Sequence, residues 1–454
     1  MKQIGGRALV MMVFVLAFTL GTAIFLISFV TKGDNWAAYP TNRHIYQNGS
    51  LVKAGTITDR NGTVLAQTAD GVRSYASDRS IRRATLHAVG DLGGMIATGV
   101  QNVFWQQLTG YELLNGTYNV SGLGNDMQLT LDADLCATAA AALGDYAGTV
   151  GVYNYKTGEI ICMTSTPSYD PNNPPEEGSE STGLYVNRLL SGTYAPGSVF
   201  KLVTAVAALE NIPDIEERTF TCDRGVEIGG EWVSCLHDHG EISFKDALAK
   251  SCNATFAQLA VELGRDTMTR TAEKLGFNQS MYMDGIKCTA SPYDVSAARD
   301  IELAWSGMGQ YNDMVNPFQY LVFMGAIANH GQPMKPYLVE SVTTPAGIPV
   351  HMKADGRGSR MMDADTADTL ASLMRNNVQS NYSDSSFPGL ELCAKTGTAE
   401  VGDNLTPHSW FVGFSQREDK PYAFVVVVEN AGSGITVAGR VANTVLQAAP
   451  TVDE

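Results

Sequence analysis

Residues 194–209 read Tyr194-Ala195-Pro196-Gly197-Ser198-Val199-Phe200-Lys201-Leu202-Val203-Thr204-Ala205-Val206-Ala207-Ala208-Leu209, and their character changes at Ser198. Pro196-Gly197 marks a turn, and the apolar positions that follow recur at helical spacing. A helix that starts here has Ser198 in its first turn and Lys201 three residues on, projecting from the same face. A serine hydroxyl is a weak nucleophile until a base removes its proton. A lysine amine becomes such a base where its surroundings disfavour the ammonium form. Val199, Phe200 and Leu202 are apolar neighbours able to desolvate Lys201, and the helix N-terminus favours negative charge near Ser198. Ser-x-x-Lys alone recurs by chance and also suits a capping serine beside a solvated lysine.

Outward from this stretch, the chain has 454 residues, 44% of them hydrophobic, which supports one large domain with a smaller companion. A net charge of -16 speaks against a nucleic-acid partner, because phosphate binding needs clustered Lys and Arg. Ala8 to Thr31 carries no charge and follows Lys2 and Arg7. At about 1.5 Å per residue it spans a bilayer with some tilt. With no small-residue cleavage site it reads as an uncleaved, single-pass anchor behind a short cytoplasmic tail at residues 1–7. Lys32 and Arg43 beyond the span leave the charge asymmetry weak; the amino terminus tips the orientation towards N-terminus inside, with the bulk of the chain outside the cytoplasm.

Between the anchor and about Gly124 the text is mixed and rich in Gly and Asn. There Asn61-Gly62 separates two alternating segments, which predicts a two-residue hairpin with positive φ at both positions. At Asp126 the character changes. Met127, Leu129 and Leu131 alternate as a strand, Ala137 to Leu143 reads as a helix, and Thr149–Asn154 with Glu159–Met163 reads as a hairpin. Pro167 to Gly183 is a loop, rimming a site or simply surface. Ser243 with Asp246 marks a helix start, and Ser251-Cys252-Asn253 breaks the helical run that follows. Met308–Asn329 and Ala364–Val378 read as further helices, and Leu390–Ala394 as a strand leading into Lys395-Thr396-Gly397-Thr398. Trp410–Phe414 and Tyr422–Val428 read as buried strands, the second covered on both faces for want of alternation, and Gly439–Ala449 as a closing helix. The expected fold class is α+β, helices packed on an antiparallel sheet.

Seven cysteines leave at least one unpaired. Cys222, Cys235, His239 and Cys252 have a spacing open to a structural zinc site, and Cys222 with Cys235 suits one disulfide equally well. The other histidines match no zinc-enzyme pattern, so no catalytic metal is expected.

Ser198-x-x-Lys201, Ser251-x-Asn253 and Lys395-Thr396-Gly397 stand in the order found in penicillin-binding proteins and serine β-lactamases. On these three motifs the chain resembles a class B penicillin-binding protein, a monofunctional peptidoglycan transpeptidase. Gly55 to Ala66 looks like the opening motif of that family's pedestal, Asp126 to Asp132 like the start of its transpeptidase domain, and Trp410 to Phe414 like the strand after Lys-Thr-Gly. Two departures stand out: Ala54, after Lys53, takes the place of an Arg before the first Gly, and Cys252 stands where the wider pattern has Asp. The resemblance implies a pedestal at residues 32–125 and a transpeptidase domain at 126–454. It implies Ser198 as nucleophile, Lys201 as acylation base and Ser251 as proton relay. Asn253 would hold the substrate amide, and Lys395, Thr396, Gly397 and Thr398 would bind the terminal carboxylate and complete the oxyanion hole. The implied activity is D,D-transpeptidation of stem peptides, with β-lactams acylating Ser198; a D,D-carboxypeptidase is the nearest rival, and a non-catalytic β-lactam sensor or cell-wall scaffold the alternative. The implied partners are the membrane, a separate glycosyltransferase and cell-wall assembly proteins.

Overall fold

The computed structural model describes residues 2–37, 46–47, 50–51, 54–111, 124–176, 178, 181–353, 356–402 and 405–452. Lys53 and part of the 167–183 loop lie outside the described residues. In chain order the elements that position the site begin with helix α1 (Lys2–Ala37) and strands β1 (Ile57–Thr58), β2 (Val64–Ala69), β3 (Val72–Tyr75) and β4 (Asp126–Leu129). Helix α2 (Ala133–Leu143), strands β5 (Gly148–Asn154) and β6 (Ile160–Thr166), and helices α3 (Lys201–Asn211), α4 (Phe244–Ala249), α5 (Asn253–Lys274), α6 (Asp300–Gly307) and α7 (Pro317–Ala328) follow. Strands β7 (Val339–Thr343) and β8 (Pro349–Met352), helix α8 (Ala364–Asn377), strands β9 (Leu392–Ala399), β10 (His408–Ser415) and β11 (Tyr422–Val428), and helix α9 (Ala438–Ala448) complete the set.

Two sheets organise these elements. The first has six strands in the order β8-β7-β4-β1-β2-β3, antiparallel except where β1 pairs with β4. It joins strands from residues 57–75 to strands from 126–129 and 339–352. The second, in the order β9-β10-β11-β5-β6, is antiparallel throughout. Every residue of β5, β6 and β11 is buried, because α7 lies on one face and α2 and α9 on the other. This is the physical reason β11 lacks alternation: neither side of it meets water.

Local chemistry sets the element boundaries. Asp132 caps α2, its Oδ1 accepting from Leu135 N at 2.9 Å, so the helix starts four residues before the expected Ala137. Ser243 Oγ accepts from Asp246 N at 3.1 Å and opens α4. The polar interruption after it is real: α4 ends at Ala249, Ser251 is left-handed at φ 55°, and α5 starts at Asn253.

Some expectations are corrected. The helix expected over Met308–Asn329 is shorter: α6 already ends at Gly307, residues 308–316 form a loop, and only α7, Pro317–Ala328, is helical. Gly309 at φ 78° lies in that loop, and Asn316 caps α7 ahead of Pro317. At Asn61-Gly62 only Gly62 is left-handed; Asp59 Oδ1 accepts from both Asn61 N (2.9 Å) and Thr63 N (2.7 Å), which makes a wider turn than the two-residue hairpin. Beside that turn the buried Arg73 places Nη1 on the Ala54 and Gly55 carbonyls, so a guanidinium reaches the first Gly of the opening motif from another strand. The apolar window of α1 is Gly6–Phe29, long enough to cross a membrane and unburied by the rest of the chain.

Candidate active site

The three motifs come from different elements and meet at one point. Ser198 sits in a single 3-10 turn, Gly197–Phe200, immediately before α3; the expected α-helical first turn is instead this tighter one. A cradle holds the approach to that turn. Tyr194 and Val315 exchange backbone hydrogen bonds at 2.9 and 2.8 Å, Gly197 N donates to Gly309 O at 3.1 Å, and Trp410 Nε1 donates to Ala195 O at 2.9 Å. The backbones touch so closely that a Cβ on Gly309 would stand 2.2 Å from Gly197 O. Below, the Phe200 ring stacks on Tyr293 with centroids 5.4 Å apart.

Lys201, the first residue of α3, is fully buried. Its Nζ lies 2.7 Å from Ser251 O, 2.7 Å from Asn253 Oδ1, 3.1 Å from Ser251 Oγ and 3.2 Å from Ser198 Oγ. Proton counting reads this set. A neutral amine has two N–H bonds and one lone pair. The two shortest contacts go to oxygens that only accept, and they use both N–H bonds. The lone pair then faces the two hydroxyls, each able to give a proton. Burial first, and the neighbouring Lys395 charge second, lower the Lys201 pKa to about 7. The ring nearest the amine is Phe256 of α5, 5.8 Å away, whereas Phe200 is turned into the core.

Ser251 is the bridge. Its Oγ lies 3.1 Å from Lys201 Nζ and 3.1 Å from Lys395 Nζ. Lys395, on β9 and nearly inaccessible, also donates to Thr396 O at 3.1 Å, and burial lowers its pKa to about 7. Asn253 offers its amide oxygen to Lys201 and one N–H to Ser234 O at 3.0 Å. β9 runs without a break through Lys395-Thr396-Gly397-Thr398 to Ala399, as the end strand of its sheet. Its free edge presents Thr396 N, which donates to Tyr382 OH at 3.0 Å, so by the alternation of an antiparallel strand Thr398 N faces the same open side. Gly197 packs against Thr398 O, which sets Thr398 beside the serine turn.

Sequence reasoning missed Tyr382, Phe256, Trp410 and the Gly309–Val315 cradle. Tyr382 follows α8 in an irregular π turn, and the cradle is built from backbone groups; neither has a periodic signature.

The sulfur cluster lies against this site. The ligand atoms of Cys222, Cys235, His239 and Cys252 are all within 4.8 Å of one another, and Asn253 N donates to Cys235 Sγ at 3.3 Å. His239 Nδ1 is 3.4 Å from Cys222 Sγ and 3.6 Å from Cys235 Sγ. Cys222 and Cys235 are not joined in a disulfide.

Comparison with known proteins agrees with this geometry. Residues 148–447 match the family model described as the penicillin binding protein transpeptidase domain. The chain is 29% identical over 322 residues to the peptidoglycan D,D-transpeptidase PbpA of Mycolicibacterium smegmatis, a match covering 65% of this chain and 64% of that protein. It is 27% identical over 338 residues to the stage V sporulation protein D of Bacillus subtilis, covering 70% and 52% respectively. The match thus spans a little under two thirds of PbpA and about half of the sporulation protein. Among solved structures, the D,D-transpeptidase domain of a peptidoglycan glycosyltransferase from Eggerthella lenta superposes with TM-score 0.73 at 27% identity, covering 87% of this chain and 99% of that one. The ceftriaxone acyl-enzyme complex of penicillin-binding protein A from M. tuberculosis superposes with TM-score 0.77 at 24% identity, over 87% of this chain and 98% of that one, and shares the fold. The three motifs, the sheet that carries the third of them and the family match across residues 148–447 lead to one conclusion: this chain belongs to the penicillin-binding protein transpeptidase family.

Proposed function

We propose that the chain is a membrane-anchored peptidoglycan D,D-transpeptidase working through an acyl-enzyme on Ser198. The observation that carries this reading is the Lys201 amine: buried, with both N–H bonds spent on acceptors and its lone pair turned to the Ser198 and Ser251 hydroxyls. Lys201 takes the Ser198 proton as Oγ attacks the carbonyl between two D-alanines of a stem peptide. The oxyanion is held by the N–H groups of Ser198 and Thr398, a contribution of about 3 kcal/mol per donor. The C–N bond then breaks, and the proton passes from Lys201 through Ser251 Oγ to the departing amine. An amine of a second stem peptide attacks the ester, gives its proton back along the same path and leaves a cross-link, with Ser198 restored. Lys395 supplies positive potential for the terminal carboxylate, Thr396 and Thr398 give it hydroxyl donors, Gly397 lets the 196–199 turn pack against this binding strand, and Asn253 keeps one N–H for the substrate amide. A β-lactam enters as the donor peptide does and stays on Ser198.

In this reading residues 8–31 anchor the chain with its catalytic part outside the cytoplasm, 32–125 form the pedestal and 126–454 the transpeptidase domain. Glycan polymerisation then falls to a separate glycosyltransferase, joined by cell-wall assembly proteins. We also read Cys222, Cys235, His239 and Cys252 as a structural zinc site. Thiolate and imidazole ligands about 2.3 and 2.0 Å from a tetrahedral ion stand roughly 3.5 Å apart, the spacing of the His239 contacts. Its chemistry is structural, tying the 222–239 segment to the start of α5. Metal analysis of the purified protein is expected to find one zinc per chain; substoichiometric zinc removes this assignment.

The test of the enzyme reading is intact mass after incubation of the full chain in detergent with a β-lactam, beside Ser198→Ala. The expected result is one adduct on the wild type and none on the variant. If Ser198→Ala fully replaces the wild type in cells, the scaffold reading takes its place; if water replaces the acceptor amine in turnover assays, the carboxypeptidase reading does.

A further inference from the structure

The free edge of β9 is closed off in steps. Ala394 O accepts from Asn377 Nδ2 at 2.8 Å, Thr396 N donates to Tyr382 OH at 3.0 Å, and Thr398, two residues on, is the first edge position these groups leave exposed. Both partners come from the end of α8 and the π turn Val378–Tyr382 after it. From the same turn Asn381 Nδ2 donates to Ala249 O at 2.9 Å, two residues before Ser251. One short segment therefore grips both the Lys-Thr-Gly strand and the Ser-x-Asn loop.

Tyr382 does more than fill the edge. Its hydroxyl lies 2.8 Å from Thr396 Oγ1 as well as 3.0 Å from Thr396 N. It accepts the N–H, so its single proton must go elsewhere. The shortest contact of the hydroxyl, 2.8 Å, is to Thr396 Oγ1, and we assign the proton to that contact. A phenol is also the stronger acid of the two hydroxyls. Thr396 Oγ1 is thus supplied with a proton from behind, and its own proton is free for an anion arriving beside Lys395.

We propose that Tyr382 is a positioning residue for carboxylate recognition, holding the Thr396 hydroxyl as a donor toward the substrate's terminal carboxylate. This deepens the transpeptidase reading and rests on it. The test uses the full chain in detergent with two probes, a carboxylate-bearing β-lactam and its methyl ester. Acylation time courses by intact mass give binding and limiting rate separately. In Tyr382→Phe the ring keeps its packing on Phe411, centroids 6.0 Å apart, and only the hydroxyl is lost. The second-order acylation rate for the carboxylate probe is expected to fall about tenfold through weaker binding, as for one hydrogen bond to a charged group. The limiting rate and the ester are expected to stay within about twofold. Thr396→Val reads the same hydroxyl from its other side: the carboxylate preference falls in it, and the double variant is no worse. Equal carboxylate rates in wild type and Tyr382→Phe, or equal losses on both probes, overturn the assignment. A well-folded wild type that takes up neither probe overturns the transpeptidase reading itself, and this one with it.

Discussion

The rate at which a β-lactam acylates Ser198 should rise with pH and level off near neutrality. Only the neutral amine of Lys201 can take the serine proton, and burial with the Lys395 charge holds its pKa at about 7 against 10.5 for the ordinary side chain. At pH 7 half of the molecules carry the base form; an unperturbed lysine would offer roughly one in 3,000. The difference is about 5 kcal/mol in favour of the neutral form. Below the inflection the rate should therefore drop about tenfold per pH unit. With the methyl ester of a β-lactam, which does not call on the Lys395 charge, it should be flat by about pH 9, whereas a carboxylate-bearing β-lactam should slow again as Lys395, its pKa held at about 7 by burial, loses its proton. Lys395→Gln sharpens the test. Removing a positive neighbour favours the ammonium form of Lys201, so the inflection should move to higher pH. The assay is rapid-mixing acylation from pH 5 to 9, with melting curves at each pH to exclude unfolding. With the ester probe, a rate that is flat or falling from pH 5 to 7, one still climbing about tenfold per unit at pH 9, or a downward move of the inflection in Lys395→Gln would refute a buried neutral-lysine base with a pKa near 7.

Three further outcomes follow from the same contacts. Gly309→Ala puts a methyl on the Gly197 carbonyl and forces a side chain into positive φ; we expect acylation to fall at least about tenfold with a lowered melting temperature, measured on the same samples. Lys201→Met should abolish acylation yet raise the melting temperature, more at pH 6 than at pH 9. The sign follows from linkage: between the folded pKa near 7 and the unfolded 10.5 the unfolded chain binds more protons, so the wild type gains stability as pH rises through that window. If the sulfur cluster holds zinc as proposed, Cys222→Ser, or a strong chelator on the wild type, should release it and lower the melting temperature, and by loosening the Cys235 contact to Asn253 N should slow acylation; metal analysis and calorimetry check both arms.

Much of this site was legible before any coordinates. Ser198 and Lys201 share one turn of chain, so their proximity follows from spacing alone. Ser251-Cys252-Asn253 announced itself as a polar break among good helix formers, and the structure breaks there, with Ser251 left-handed. The uniform apolarity of 422–428 foretold a strand with no wet face. What escaped is what long-range packing decides. Nothing near Lys201 in sequence says that Phe256 will be its nearest ring, since that contact depends on α5 lying against α3. The Met308–Asn329 run looked continuous because the backbone reversal at Gly309 serves Gly197, more than a hundred residues earlier. Tyr382 sits past the last periodic position of α8, where pattern reading ends.

Ser198 and Lys201 are carried by one unbroken stretch of backbone, while Ser251 and Lys395 are each borne by another element. Thermal motion treats these pairs differently. Relative motion of the helices against the sheet barely alters the separation of the first pair, so forming the nucleophile is insulated from the breathing of the cleft. In the proposed mechanism the onward route to the leaving amine passes from α3 to the loop before α5, so it depends on how those two helices and β9 are packed. Substitutions far from the centre that soften the packing should therefore act as friction on turnover, leaving the capacity to be marked by a β-lactam nearly whole.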